Sequence, residues 1–304
     1  MMQVPTNRFY DVGARNMGRL TSRADALQVQ IATGKRLQAP SDDALAYRRL
    51  QGLARAEADD AVYASNLKLA GSVLAQADTI LGEVGDQLQR ASELAIRAAN
   101  GTMNEGDRKV FAIELADIAE ALAQLVNTTD GRGLPLFGGA DGGMAAVRQP
   151  DGSYALATTT PSAMPVGEGQ TIQANEPAER MFGFTGQSGP TDVIAAVAGL
   201  VAAIEANDPA TLKASLEEGV ADITSAIDQT SAAQASLGAR GARIDMLAAQ
   251  MQATAVTREE TRSGLEDADI TQTVTELQKT MTILQATQAS LAKLSSLSLF
   301  DYLR

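Results

Sequence analysis

Apolar residues between positions 67 and 98 recur at steps of three and four, with polar residues between them. The stripe consists of Leu67, Ala70, Leu74, Ala77, Leu81, Val84, Leu88, Ala91, Ala95 and Ala98. This spacing predicts an amphipathic helix with a heptad seam. Since Pro40 precedes the pattern and Gly101 follows it, we expect the helix to cover residues 43–99, roughly 85 Å at 1.5 Å per residue. Such a helix needs partner helices to cover its stripe.

A second stripe of similar length, between residues 209 and 262, predicts such a partner helix. Its positions are Leu216, Val220, Ile223, Ile227, Thr230, Gln234, Leu237, Gly241, Ile244 and Met251. Two helices of matching length should pack side by side as one bundle. Shorter stripes predict two more helices, at residues 107–126 and 193–206.

The two ends of the chain share the three-and-four spacing of apolar residues and carry net charges of opposite sign. Residues 1–38 hold six basic and two acidic residues, a net charge of +4, and residues 264–304 hold three basic and five acidic residues, a net charge of −2. Complementary apolar stripes and charges predict that the two arms pair.

The segment 127–190 differs in composition from the rest of the chain. It contains 12 of the 26 glycines and 6 of the 9 prolines, and its apolar runs are short. Residues 134–137, 154–158 and 170–173 are candidate strands. We therefore expect a small, mainly β insertion between the two long helices.

The predicted fold is mainly α: an elongated antiparallel helical bundle or coiled coil built from the N- and C-terminal segments, with a small β-rich insertion domain. We divide the chain into an N-terminal arm, the first part of a helical rod, the insertion, the second part of the rod and a C-terminal arm. Their ranges are 1–40, 41–126, 127–190, 191–262 and 263–304.

Composition narrows the classes of function. The chain has no histidine and no cysteine, so imidazole, thiolate and zinc chemistry have no side chains to use. The net charge of −12 disfavours nucleic-acid binding. The sequence shows no signal-peptide h-region and no run of apolar residues long enough to predict insertion into a membrane. We predict no enzyme activity and no cofactor.

Two acidic clusters are predicted to be helix caps rather than ion sites. Ser41 or Asp42 would accept the free amide groups of the first long helix, and Ser263 or Asp267 those of the C-terminal helix. The glycine-rich segment 138–143 has no GK[ST] ending, so we expect a turn there rather than a phosphate loop.

Motifs at both ends resemble those of the flagellin superfamily. Residues 27–37 (LQVQIATGKRL) and 41–44 (SDDA) are similar to its N-terminal motif, and residues 263–269 (SGLEDAD) and 284–291 (LQATQASL) to its C-terminal motifs. Within the superfamily, residues 297–303 (LSLFDYL) resemble the end of the hook-associated FlgL type. Further similarities to that type are the segments GQTIQAN at 169–175, MFG at 181–183 and LGAR at 237–240.

The resemblance implies a structural subunit of the bacterial flagellum, located extracellularly at the hook–filament junction. It would be exported by type III secretion without a cleaved signal peptide. Its implied partners are further copies of itself in a ring, the first hook-associated protein, flagellin, and an export chaperone that binds the C-terminal helix.

The terminal stripes suggest how such a subunit assembles, because two arms without a closed core need neighbouring copies to cover them. We expect the assembly surface to consist of Phe9, Met17, Leu20, Leu27, Ile31, Val274, Leu277, Met281, Leu284, Leu291 and Leu297.

Other interpretations stay open at the level of sequence. A filament flagellin is the nearest, although its C-terminus tends to end differently. A cytoplasmic signalling coiled coil would share the long alanine-rich heptads but not the insertion rich in glycine and proline. An enzyme built on carboxylates would require a deep pocket with several convergent acids.

Overall fold

The computed structural model describes residues 4–100, 103–208 and 210–302. In these ranges the helices are α1 (Val4–Thr33), α2 (Ala44–Ala98), α3 (Glu105–Val126), α4 (Ala178–Phe182), α5 (Val193–Ala206), α6 (Leu212–Glu266) and α7 (Ile270–Tyr302). The strands are β1 (Ala146–Arg148), β2 (Tyr154–Leu156), β3 (Met164–Gly167), β4 (Gln170–Ile172), β5 (Gly183–Gly186) and β6 (Gly189–Asp192). They pair as three separate antiparallel hairpins. The predicted mainly α fold with a small β insertion is confirmed.

Side-chain caps set the ends of the shorter helices. Asp192 Oδ1 accepts hydrogen bonds from the N–H groups of Ile194 and Ala195, at 2.8 and 2.9 Å. Asn104 caps α3 in the same manner. Asn207 ends α5 in the left-handed conformation, with φ of 44°. These start and stop signals are local, which is why α5 covers the residues predicted for it.

The cap of α2 is Asp43, one residue beyond the predicted positions. Its Oδ1 accepts from the N–H groups of the second and third residues of the helix, at 3.0 and 2.9 Å. Asp42 instead accepts from the N–H groups of Gln38 and Ala39, both at 2.9 Å. The prediction of Ser41 or Asp42 as the cap is therefore wrong, because Asp42 closes the preceding loop.

Contacts divide the chain into two compact units. The terminal unit comprises Met1–Ala58 and Ala253–Arg304, and the central unit comprises Asp59–Gln252. The boundaries fall within α2 and α6. The five-segment division along the sequence stays a prediction.

Inside the central unit, α2 and α6 run antiparallel, and two glycines of α2 lie at van der Waals distance from side chains of α6. A Cβ atom placed on Gly71 would lie 3.9 Å from Cγ2 of Ile244, and one on Gly82 would lie 3.8 Å from Nε2 of Gln234. The residue numbers rise on α2 as they fall on α6, which fixes the antiparallel direction. The side chains of Ile244 and Gln234 thus bridge α6 to α2 at these two positions.

The insertion shares its core with the helices of the central unit. Leu136, Phe137 and Phe182 are fully buried in the same cluster as the seam residues of α2. The rings of Phe137 and Phe182 meet edge to face, with centroids 4.9 Å apart. The two aromatic rings thus bring the loop after α3 and the short helix α4 into one core.

The strands of the insertion were only partly predicted. β2 and β4 lie within the candidate strands 154–158 and 170–173. Residues 134–137 form no strand: they lie in a turn beside an isolated bridge between Thr129 and Pro135. Leu136 and Phe137 are buried in the core without pairing in a sheet, whereas Leu134 is 47% exposed.

Candidate assembly surface

Helices α1 and α7 pack against each other in antiparallel order within the terminal unit. A Cβ atom on Gly13 would lie 2.5 Å from Cδ1 of Leu291, so the two helices are in close contact there. Further along α1, Arg23 Nη2 lies 2.8 Å from Glu276 Oε2. The two terminal helices therefore lie side by side, as the stripes and charges predicted.

The loops next to these helices are joined by backbone hydrogen bonds. The N–H of Arg36 donates to the carbonyl of Glu266 at 2.6 Å, and the N–H of Ala268 donates to the carbonyl of Gly34 at 2.8 Å. Lys35 Nζ adds an ion pair to Glu266 Oε1 at 2.5 Å. Gly34 has φ of +71°, a conformation that costs glycine least. These contacts between residues 34–36 and 266–268 fix the register of α1 against α7.

The N-terminal cap of α7 also differs from the predicted one. Asp269 Oδ1 accepts from the N–H of Gln272 at 3.0 Å. Asp267 instead accepts from the hydroxyl of Ser263, its neighbour one turn earlier. The prediction of Ser263 or Asp267 as the cap is wrong, because α6 continues to Glu266 and holds Ser263 inside it.

The predicted surface residues are mostly half-buried, as a partly covered stripe should be. Leu27 is buried, with 2% of its surface exposed, and Met281 is exposed at 38%. The half-buried members are Met17, Leu20, Ile31, Val274, Leu277, Leu284 and Leu291. The side chains of Phe9 and Leu297 lie outside the described ones. Pairing of α1 with α7 thus covers only part of each stripe.

Four exposed apolar residues of α1 and α7 were not among the predicted surface residues. Val12, Val29, Ile270 and Ile283 are each 42–43% exposed. Ile283 is adjacent to Leu284, so the apolar stripe on α7 is broader than a single heptad seam. A count of apolar residues on both flanks of the seam would have found it.

The ion pairs of the terminal unit fix the register of α1 against α7 but contribute little to the stability of the pair. The side chains of Arg23 and Glu276 are 57% and 43% exposed. Ion pairs this accessible to water contribute about 1 kcal/mol or less. The apolar contact must therefore supply most of the free energy that holds α1 to α7.

A groove of about 790 Å³ in the terminal unit tests the carboxylate-enzyme interpretation. Its acids are Asp42, Asp267, Asp269 and Glu276. Each accepts a hydrogen bond from a backbone amide, a hydroxyl or a guanidinium. Backbone N–H groups of Gln38 and Ala39 hold the pKa of Asp42 below its ordinary value. Asp269 thus caps α7 and Glu276 forms an ion pair with Arg23, whereas Asp42 and Asp267 accept hydrogen bonds from residues near them in the chain.

Residues 4–100, 103–208 and 210–302, the described parts of the chain, hold neither a metal-binding cluster nor a membrane-spanning helix. No group of three or more acidic side chains is arranged there to hold a metal ion. None of the helices there is long and apolar enough to cross a membrane.

Both ends of the chain match family models. Residues 4–141 match the bacterial flagellin N-terminal helical region, and residues 220–303 match the bacterial flagellin C-terminal helical region. The first match covers α1, α2 and α3, and the second covers most of α6 together with α7. Of the two helices that pair in the terminal unit, α1 thus lies in the N-terminal match and α7 in the C-terminal match.

One individual relative matches 99% of the chain, and others match parts of it. The flagellar hook-associated protein 3 of Escherichia coli K12 is 25% identical over 327 aligned positions, which cover 99% of each chain. Hook-associated protein 3 of Salmonella typhimurium LT2 is 33% identical over 156 residues, covering 50% of this chain and 48% of its own length. A solved structure described as a putative flagellar hook-associated protein from Vibrio parahaemolyticus has a TM-score of 0.67 at 21% identity. It covers 74% of this chain and 100% of its own.

Proposed function

We propose that this chain, which belongs to the bacterial flagellin family, forms the junction between the flagellar hook and the filament. Membership of the family makes it a structural component of the flagellum and not an enzyme. The junction role is supported by one observation above others: the end-to-end match, over 99% of both chains, to a hook-associated protein 3. A filament flagellin is the second candidate, since the matched family models describe flagellin itself.

The proposed mechanism of assembly starts from the partly covered stripes of α1 and α7. The half-buried residues and the exposed Met281 leave apolar surface that another copy can cover. Burial of apolar area contributes about 25 cal/mol per Å², so each added neighbour lowers the free energy of the assembled state. Copies in a ring would cover one another laterally, and the first hook-associated protein and flagellin would cover the two faces of the ring.

Export is the second part of the proposal. The protein would leave the cell through the flagellar type III channel without a cleaved signal peptide, and a chaperone would hold its C-terminal helix before export. The half-buried residues of α7, such as Leu277 and Leu284, are the apolar positions that such a chaperone would cover.

A deletion strain distinguishes the junction from the filament. If the chain forms the junction, cells that lack it keep their hooks and release flagellin monomer into the medium, because flagellin has no surface on which to assemble. If the chain is the filament flagellin, the main protein of isolated filaments disappears instead. Recovery of the protein in the cytosol alone would contradict both.

A further inference from the structure

The C-terminus of α6 is capped by a residue that follows α1. The last turn of α6 contains no basic residue, and the helix is followed by Asp267 rather than by glycine. The carbonyl of Leu265 accepts a hydrogen bond from Arg36 Nη2 at 2.8 Å, and the carbonyl of Glu266 accepts one from the Arg36 N–H at 2.6 Å. The last carbonyls of a helix have no partners within the helix. Arg36 therefore supplies the donors that α6 lacks.

The loop after α6 binds the end of α1 in return. The N–H of Ala268 donates to the carbonyl of Gly34 at 2.8 Å, and an isolated antiparallel bridge joins the same two loops. We call the contacts between residues 34–36 and 265–268 the mutual cap, because each loop satisfies backbone groups at the end of the other helix. The mutual cap requires both ends of the chain.

Full burial in the terminal unit is confined to the region near the mutual cap. The buried apolar residues that the structure describes in this unit are Ala24, Leu27, Leu37 and Ala46. Along α1, Ala24 lies ten residues before Gly34, which is about 15 Å. In residues 10–23 and 274–293, all of whose side chains the structure describes, none is buried. The pair of α1 and α7 is thus covered best at the end that carries the mutual cap.

The contacts farther from the mutual cap are weaker. They include the ion pair of Arg23 with Glu276, which is open to water, and the approach of Leu291 to Gly13. Ion pairs exposed to water contribute little to stability. Since burial of apolar area supplies most of the free energy of helix packing, that free energy falls from the mutual cap toward the far end of the pair.

Helix α7 has a weak tendency to form a helix by itself. The hydroxyls of Thr275, Thr280, Thr282 and Thr287 each donate to the carbonyl four residues earlier. Such bonds slightly destabilise a helix, and β-branched side chains lower helix propensity. The stability of α7 therefore depends on packing against α1, and this packing is weakest where burial is lowest.

We propose that α1 and α7 pair in one direction, from the mutual cap outward, and open in the reverse order in the free chain. The inner part, residues 24–36 and 265–277, stays closed while the outer part, residues 10–20 and 281–293, opens. The arms thereby keep their register while their outer stripes are uncovered. One consequence rests on the proposed function: neighbouring copies meet arms that are already joined at one end, which lowers the entropy cost of closing them.

Hydrogen–deuterium exchange of the dilute, full-length monomer, analysed by mass spectrometry, measures the order of opening. After correction for sequence, we expect amides of the inner part to exchange at least about tenfold more slowly than amides of the outer part. Peptides of the central unit serve as the folded reference. Equal rates in the inner and outer parts would overturn the inference.

A change at the mutual cap should loosen the whole pair. Arg36→Ala removes a charged donor from the end of α6, and we expect exchange about tenfold faster in both the inner and the outer part. Arg36→Lys keeps a charged donor and should restore part of the protection. Arg19→Ala, which removes an exposed base from α1, is the matched control and should leave all rates unchanged. Unchanged rates in Arg36→Ala would overturn the inference.

A change far from the mutual cap should act only locally. Gly13→Val places a side chain against Leu291, so we expect faster exchange in the outer part and the parent rate in the inner part. If both parts exchange faster by the same factor, the pair opens as a single unit and the inference is wrong. These measurements use the free chain alone, so their failure leaves the proposed junction role standing.

Discussion

A buried carboxylate, that of Glu176, connects the insertion to helix α6. The side chain of Glu176 is 3% exposed, and Arg240 Nη2 lies 2.5 Å from its Oε1. Arg240 also donates from Nη1 to the carbonyl of Gln173 at 3.1 Å. Arg180 makes a longer contact with Glu176, at 3.2 Å. Arg240 comes from the LGAR segment, and Gln173 from the GQTIQAN segment, so two distant motifs meet at one charge.

The first prediction follows from the cost of leaving the buried Glu176 carboxylate with only its longer ion pair, to Arg180. We expect Arg240→Ala to lower the free energy of unfolding of the central unit by about 3–5 kcal/mol. Arg180→Ala is the matched control, because its side chain is 67% exposed, and it should cost about 1 kcal/mol or less. Urea denaturation followed by circular dichroism measures both. Equal losses would show that Arg240 has no special role in neutralising Glu176.

The second prediction concerns the cap of α5. Burial raises the pKa of the Asp192 carboxyl, although hydrogen bonds from the N–H groups of Ala195 and Ile194 oppose the rise. The folded state therefore binds a proton more readily than the unfolded state. Ionised Asp192 carries its burial penalty fully at neutral pH, and the penalty is lost as the pH falls through the raised pKa.

Asn is an equally good cap without the charge. We expect Asp192→Asn to be more stable than the parent protein at pH 7, and the difference to shrink as the medium becomes acidic. Asp192→Ala loses the cap and should be less stable at pH 7 by about 1 kcal/mol. Thermal unfolding at several pH values measures the three proteins. If the stability difference between Asp192→Asn and the parent protein grew in acid, the pKa of Asp192 would not be raised in the folded state.

At the scale of elements, α1 and α7 come very close to each other at Gly13. A side chain at Gly13 would meet Leu291, whereas a Cβ atom on Gly18 of the same helix has no neighbour within 4 Å. Both glycines lie in α1, so a change at either alters helix propensity equally. They form a matched pair that separates packing from propensity.

The third prediction uses that pair. We expect Gly13→Val to weaken the pairing of α1 with α7 by about 1–3 kcal/mol, the cost of overpacking, or 5- to 150-fold in the equilibrium constant. Less of this variant should enter flagella, as measured by immunoblotting of isolated flagella. Gly18→Val should enter as the parent protein does. Equal incorporation of the two variants would mean that the close approach at Gly13 has no role in assembly.

Elements with local signals were predictable from the sequence, and those that depend on distant contacts were not. The long helices follow from heptad spacing, and α5 follows from its caps at Asp192 and Asn207. β5 (GFTG) and β6 (GPTD) have no apolar alternation, so their pairing reflects tertiary packing and the turn at Gly189. The stripes predicted the facing sides of α1 and α7. The ion pair between Lys35 and Glu266 joins residues 231 positions apart, and no local sequence pattern indicates it.

For the whole molecule, the decisive property is an apolar surface that one chain covers only in part. The fourth prediction tests it at Leu284, which is half-buried on α7. Leu284→Asp puts a carboxylate where a neighbouring copy would pack. We expect it to cost more than about 1.4 kcal/mol, or tenfold in affinity, and to block incorporation into flagella. Leu20→Asp on α1 should act in the same way.

The control for this prediction is the next residue. Gln285 is exposed on the same helix, so Gln285→Asp adds the same charge without removing an apolar contact. It should enter flagella normally. The central unit should unfold at the parent temperature in every variant, because its core contains neither position. Normal assembly of Leu284→Asp would show that this face of α7 is not part of the interface.

The last prediction concerns order in the free protein. Because half-buried helices gain less from burial than the core of the central unit, we expect residues 1–38 and 264–304 to be cut first by trypsin in dilute monomer. Exposed basic residues such as Arg15, Arg23 and Lys279 offer cleavage sites there. In assembled flagella, neighbouring copies would cover the arms, and the same sites should resist. Mass spectrometry of the fragments identifies the cuts, and fragments from the central unit serve as the internal reference. If the arms of the monomer resist as long as the central unit does, they are already stable alone, and assembly does not complete their fold.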